Sequence, residues 1–251
     1  MARKPSRRTP QSGSGSSAPE TPLPDLTGPA RERIVAAFLA LLAEHPFEEI
    51  GFADIAGRAS VSLAELRQEF GAKLPILAAF IKDIDRKVLA GGDADMAEEP
   101  RREQLFDVLM RRLEALAPHK AAIRSLLRSA RRRPGLALAL NGLAVRSQQW
   151  MLTAANIDAA GPRGIVRAQG VALLFAGVLR TFVDDEDEGL ARTMAALDRA
   201  LARGQRWSGF LNDLCRLAPR GRCLSRFRRR RRDEDLDRDP GRDLGEEPIP
   251  I

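Results

Sequence analysis

The chain has 251 residues, 44% of them apolar and only 5% aromatic, with no tyrosine and a formal charge of +7. Such a length holds one large or two modest cores, and a packing set dominated by Leu and Ala favours helices. The basic balance points to nucleic acid or another anionic surface as partner. Cys215 and Cys223, with no third thiol, exclude a disulfide framework and zinc-finger spacing, and suit free thiols in a reducing cytosol.

Residues 1–28 are rich in Pro, Ser, Gly and Thr and have neither apolar periodicity nor the apolar stretch of a secretory signal, so disorder is expected. Arg3, Lys4, Arg7 and Arg8 give this arm its charge. A helix is predicted from Pro29, with Ile34, Phe38, Leu41 and Leu42 on one face and Pro46 as its stop. The stretch FADIAGRASVSLAELRQEFGAKLPIL, starting at Phe52, reads as two short helices joined by a tight turn. Ile55, Ala56 and Ala59 pack the first of these, Val61 plugs the turn, and Ser62 is suited to cap the second. Leu66 and Phe70, four residues apart, face inward. Leu63, Ala64, Glu65, Arg67 and Gln68 are left outward, where base edges and phosphates lie in a helix-turn-helix complex. Gln68 suits adenine, Leu63 a thymine methyl, and Lys73, opening the next helix, a phosphate. That next helix, about 74–89, carries Ile76, Leu77, Phe80, Ile81 and Ile84, and residues 91–100 form a loop.

Further on, Leu105, Leu109, Leu113 and Leu116 mark a helix that Pro118 ends, and Ile123, Leu126 and Leu127 mark the next, up to Pro134. A third runs from Leu136 to Ile157. The segment from Ile165 to Val183 is apolar nearly all round, which predicts burial on most sides. The last helix follows the acidic run Asp184–Glu188 and carries Leu190, Met194, Leu197 and Leu201 towards Trp207 and Phe210. No strand pattern or internal repeat is visible. The expectation is an all-α protein of about nine helices, with a basic arm at 1–28, a helix-turn-helix domain at 29–90, a second helical domain at 99–219 and a charged tail at 220–251. The longest apolar run, Gly170–Leu179, is shorter than the roughly 20 residues a bilayer needs. A cytoplasmic protein without integral membrane association is expected.

Phe106, Met110, Leu140, Trp150, Met151 and Phe175 either line a pocket for a hydrophobic ligand or pack as core. The acids Asp184–Glu188 either bind a cation or favour the start of the last helix through its dipole. The arginines of the second domain, Arg111, Arg112 and Arg131–Arg133 among them, read as solvated faces. The tail places eight arginines in 220–232 before a net of −6 in 233–251, and either meets DNA or an anionic membrane or neutralises itself. His45 and His119 lack partners at metal-ligand spacing. No nucleophile signature or glycine-rich phosphate loop is present, so no enzyme, catalytic residue, metal or cofactor is expected.

Residues 31–81 resemble the N-terminal domain of TetR-family transcriptional regulators. The resemblance rests on an amphipathic first helix, on Ile55, Ala56, Ala59, Val61 and Ser62 at the turn, and on Leu66, Phe70 and Lys73 after it. It implies double-stranded DNA as partner, a small hydrophobic effector in the second domain, and a homodimer paired through helices at about 163–183 and 187–217. Ser60 stands where the family usually has Gly, and Arg67 and Glu69 where it commonly has Tyr and His. Residues 31–82 hold six basic and seven acidic side chains, a weak balance for phosphate neutralisation. The arm is placed to supply charge, or serves only as a solubilising tail. The stretch LFDVLMRRLEALAPHKAAIRSLLR is also similar to lipid-binding accessory proteins of ubiquinone biosynthesis that share this fold. That similarity implies isoprenoid or acyl ligands and an alternative, lipid-binding role without specific DNA recognition.

Overall fold

Helix α1 (Ala30–Glu44) starts after Pro29 and stops before Pro46, as the prolines require. It buries Ile34, Ala37, Phe38 and Leu42 and is the hub of the fold. The structure, a computed structural model, describes residues 28–92 and 98–217, with backbone only from residue 205. After α1 come α2 (Phe52–Ala59), α3 (Leu63–Glu69), α4 (Lys73–Ala90) and α5 (Arg101–Leu116). A 3-10 turn, Ala117–His119, joins α5 to α6 (Lys120–Arg132), and α7 (Pro134–Ala154), α8 (Gly161–Phe182) and α9 (Ala191–Leu217) follow. The described residues contain no strand, so the architecture is all-α as expected.

Packing divides the chain after Gly204, and the core belongs to the unit that ends there. One side of α1 takes α2 and α3, while α6 lies along another side. Helix α4 passes from this group to α5 and α7, and α7 pairs with α8. Phe38 meets Phe47 edge-on at 6.1 Å, closing the end of α1 over the loop to α2. Phe38, fully buried, contributes about 1.5–3 kcal/mol relative to exposure. Pro134 opens α7 instead of merely breaking the chain, because its missing N–H costs nothing in a first helical turn. The close turn into α8 depends on Gly164, where a Cβ would fall 2.1 Å from the Ala159 backbone.

Two expectations fail here. Arg112 is not on a solvated face: it is 5% exposed, and its guanidinium donates to Asp85 Oδ1 of α4 at 2.7 Å and to Ser147 Oγ of α7. The Phe175 ring of α8 lies 5.4 Å from it. Burial pushes this guanidinium below its ordinary value, and Asp85 opposes that push. The neighbouring Arg111 donates to Val88 O and Gly91 O at the end of α4. Consecutive arginines of α5 therefore hold α4, one by its backbone and one by its charge.

Helix α8 is the second failure. It is long and apolar enough, by length and composition alone, to cross a membrane, yet only 28% of its most apolar window is buried. Ile165, Val166 and Leu173 are exposed. Hydropathy reports that a surface avoids water, not which chain covers it.

The acidic run before α9 caps that helix. Asp185, buried, accepts from Thr193 N at 2.8 Å and Thr193 Oγ1 at 2.7 Å, and Asp187 Oδ2 accepts from Ala191 N at 2.9 Å. The Thr193 hydroxyl holds the Asp185 carboxyl below its usual range. No group of three or more metal-ligating side chains occurs among the described residues. Asp185→Ala should destabilise the protein by about 1.5–3 kcal/mol in urea titrations at neutral pH. Because the folded carboxyl is shifted down, its contribution is complete above the ordinary carboxylate value. It is lost as pH falls through the depressed one. The difference between wild type and variant should therefore shrink in acid.

Candidate nucleic-acid interface

Helix α2 ends in a left-handed residue, Ser60, at φ 52° and ψ 47°. Its N–H and that of Val61 return to Gly57 O and Ala56 O at 3.2 and 3.0 Å. Arg33 of α1 donates to Ala59 O and Ser60 O, satisfying carbonyls that the helix end leaves free. A serine in this conformation carries a steric cost that glycine avoids. Ser60→Gly should therefore raise stability by about 0.5–1 kcal/mol, read as a higher urea midpoint with unchanged slope.

Ser62 caps α3 as its sequence position suggests. Glu65 N donates to Ser62 Oγ at 3.1 Å, and Ser62 N donates to Glu65 Oε2 at 2.7 Å. This reciprocal box places the Glu65 carboxylate on the positive end of α3 and lowers its pKa through the bonds to Ser62, with Arg33 adding a smaller pull. Glu69 pairs with Arg31 of α1 at 3.6 Å, and the Arg31 guanidinium lies 4.6 Å over the Phe70 ring. Both acids of α3 are thus partly answered from within the fold.

Leu66 and Phe70 are buried, while Leu63, Ala64, Arg67 and Gln68 are exposed on the outer face. Arg67 donates to Gly71 O at 3.2 Å, and Gln68 makes no side-chain hydrogen bond with the described residues. Phe52, opening α2, is also exposed. Lys73 points back into the fold. Its ammonium donates to Phe47 O at 2.8 Å and Ile50 O at 2.9 Å, and lies 4.6 Å from the Phe47 ring. Burial lowers its pKa, against the pull of Glu48. One N–H remains for any outside acceptor. Arg3, Lys4, Arg7 and Arg8 lie outside the described residues, as do the charged tail, Cys223 and the side chains of Cys215, Trp207 and Phe210.

Among the other candidates, Met110, Met151 and Phe175 are buried in the common core, and Phe106 and Leu140 pack against it. Trp150 is 60% exposed, on the outer side of α7. Cavities of about 610 and 220 Å³ open elsewhere, along the end of α6, and none of these six residues lines them. Sequence reasoning missed Arg31 and Arg33, whose partners lie far along the chain and leave no periodic mark.

No family profile and no curated protein matches the chain. Its backbone is similar to a TetR transcriptional regulator from Nitrosomonas europaea ATCC 19718, at a TM-score of 0.56 and 24% identity over 71% of this chain and 99% of that one. It is also similar to a TetR transcriptional regulator from Rhodococcus sp. RHA1, at a TM-score of 0.50 and 22% identity over 70% and 95%. The resemblance carried by Ile55, Ala56, Ala59, Val61, Ser62, Leu66 and Phe70 thus extends well beyond the turn, and the chain has the fold of the TetR-family transcriptional regulators.

Proposed function

We propose that this protein is a DNA-binding transcriptional regulator acting as a homodimer on a palindromic site, in the manner of a ligand-relieved repressor in the cytoplasm. The observation that carries the reading is the capped α3, which presents Leu63, Ala64, Arg67 and Gln68 outward while its two acids are engaged internally. In this reading residues 29–90 bind DNA and residues 99–219 bind the effector and the second copy. The exposed Ile165, Val166 and Leu173 of α8 suit a self-complementary face. Pairing α8 and α9 with their copies would set two recognition helices about one DNA turn, roughly 34 Å, apart. The effector would enter among Phe106, Met110, Leu140, Met151 and Phe175, and must bind the two spacings with different affinity to act.

A second reading is a lipid- or isoprenoid-binding protein of the same fold. It is favoured by Lys73, whose ammonium is committed to Phe47 O and Ile50 O instead of standing free for a phosphate. A gel-shift assay with the DNA upstream of the protein's own gene separates the two. Saturable binding that survives competitor DNA supports the regulator; no binding even at low salt leaves the lipid reading.

A further inference from the structure

Helix α6 carries five cations and no acid, Lys120, Arg124, Arg128, Arg131 and Arg132, and Arg133 follows it directly. Three are engaged. Lys120 donates to Asp185 O at 2.6 Å, Arg124 binds Val183 O and pairs with Asp184 at 3.4 Å, and Arg133 pairs with Glu48 at 3.7 Å. Arg128, Arg131 and Arg132 are exposed and make no ion pair or hydrogen bond with the described residues.

Their position follows from what holds the end of α6. Ser125 Oγ donates to His45 O at 3.0 Å, and Phe47 N donates to Ser129 Oγ at 3.2 Å. The helix is thereby bonded to the loop that runs from α1 into the N-terminus of α2, the same loop that Lys73 grips from α4. In a helix-turn-helix complex the first helix of the motif crosses the phosphate backbone. Arg128 and Arg132 line the cleft of about 220 Å³ between this loop and α6, whose acids, Glu44 and Glu48, are already paired with Arg58 and Arg133. The excess charge at this edge is therefore positive, where residues 31–82 are one charge short of neutral.

We infer that Arg128, Arg131 and Arg132 form a second backbone contact, seated on DNA phosphates flanking the stretch read by α3. This rests on the DNA-binding reading and names where that reading finds its charge. Arg131 and Arg132 also favour the carbonyl end of α6 through the helix dipole. That role alone leaves DNA binding unaltered.

The test is a salt titration of fluorescence anisotropy with a labelled random-sequence duplex of about 30 base pairs, which needs no knowledge of the operator. Each phosphate contact contributes about 0.9 to the slope of log affinity against log salt, so the R128Q/R131Q/R132Q variant should lose about 2–3 from that slope per bound protomer. The R128K/R131K/R132K variant should keep most of it, because counterion release follows charge; helix content and urea midpoint establish that both variants are folded. An unchanged slope in the glutamine variant, or no recovery with lysine, overturns the contact while wild-type binding leaves the DNA reading standing. Failure of the wild type to bind the duplex at low salt overturns both.

Discussion

Asp85→Ala should cost about 3–5 kcal/mol of folding stability, because it leaves the Arg112 guanidinium buried without a counter-charge. The Ser147 hydroxyl, which donates to Asp85 Oδ1 at 2.7 Å, loses its acceptor as well. Urea denaturation should show the full loss in the midpoint. The double variant Asp85→Leu with Arg112→Met should recover most of it, since a buried ion pair replaced by apolar groups of similar volume is often neutral or better. A non-additivity of at least about 2 kcal/mol is therefore expected from the cycle of Asp85→Leu, Arg112→Met and their double variant. A cost below about 1 kcal/mol for the single change would show that water reaches Arg112 and that the two groups are not a closed pair. Arg112 Nε on α5 and the side-chain oxygen of Gln148, next to Ser147 on α7, are buried without a hydrogen-bond partner among the described residues and make the node sensitive to any loosening.

The second large effect concerns assembly. Val166→Arg with Leu173→Arg should leave each chain folded, since both positions are exposed in the single chain. On the proposed homodimer, sedimentation should then report a monomer for the variant and a dimer for the wild type. DNA affinity should fall by about 10²–10⁴, the gain that tethering two half-site contacts normally supplies. A variant that stays dimeric places the self-complementary face away from α8. A variant that unfolds would show instead that α8 packs on its own chain more fully than its exposed side chains indicate.

The residues that fix the motif were legible because their signal is local. Ile55, Ala56 and Ala59, the cap at Ser62, and the pair Leu66 and Phe70 lie within one helix or one turn of each other, and the structure uses each as its spacing suggests. Arg112 was not legible: Arg111 and Arg112 look alike in sequence, and only the packing of α4 and α7 distinguishes them. Lys73 has the position of a phosphate contact, yet the nearest acceptors are carbonyls more than twenty residues earlier. Periodicity identified α8 as apolar but not what covers it. The pocket candidates show the same limit, since Met151 and Trp150 are adjacent in sequence and at opposite extremes of exposure.

Helix α4 has a mechanical consequence. Its first residue, Lys73, is bonded to the loop beside the helix-turn-helix, and Asp85, Val88 and Gly91 at its other end are held by Arg111 and Arg112. The stretch from Lys73 to Asp85 is uninterrupted helix of about 18 Å, at 1.5 Å per residue. It behaves as a stiff lever fastened at both ends. A sideways shift of about 1 Å at Asp85 tilts it by roughly 3° about Lys73. An arginine of α5 is therefore linked, through the length of α4, to the loop that enters α2.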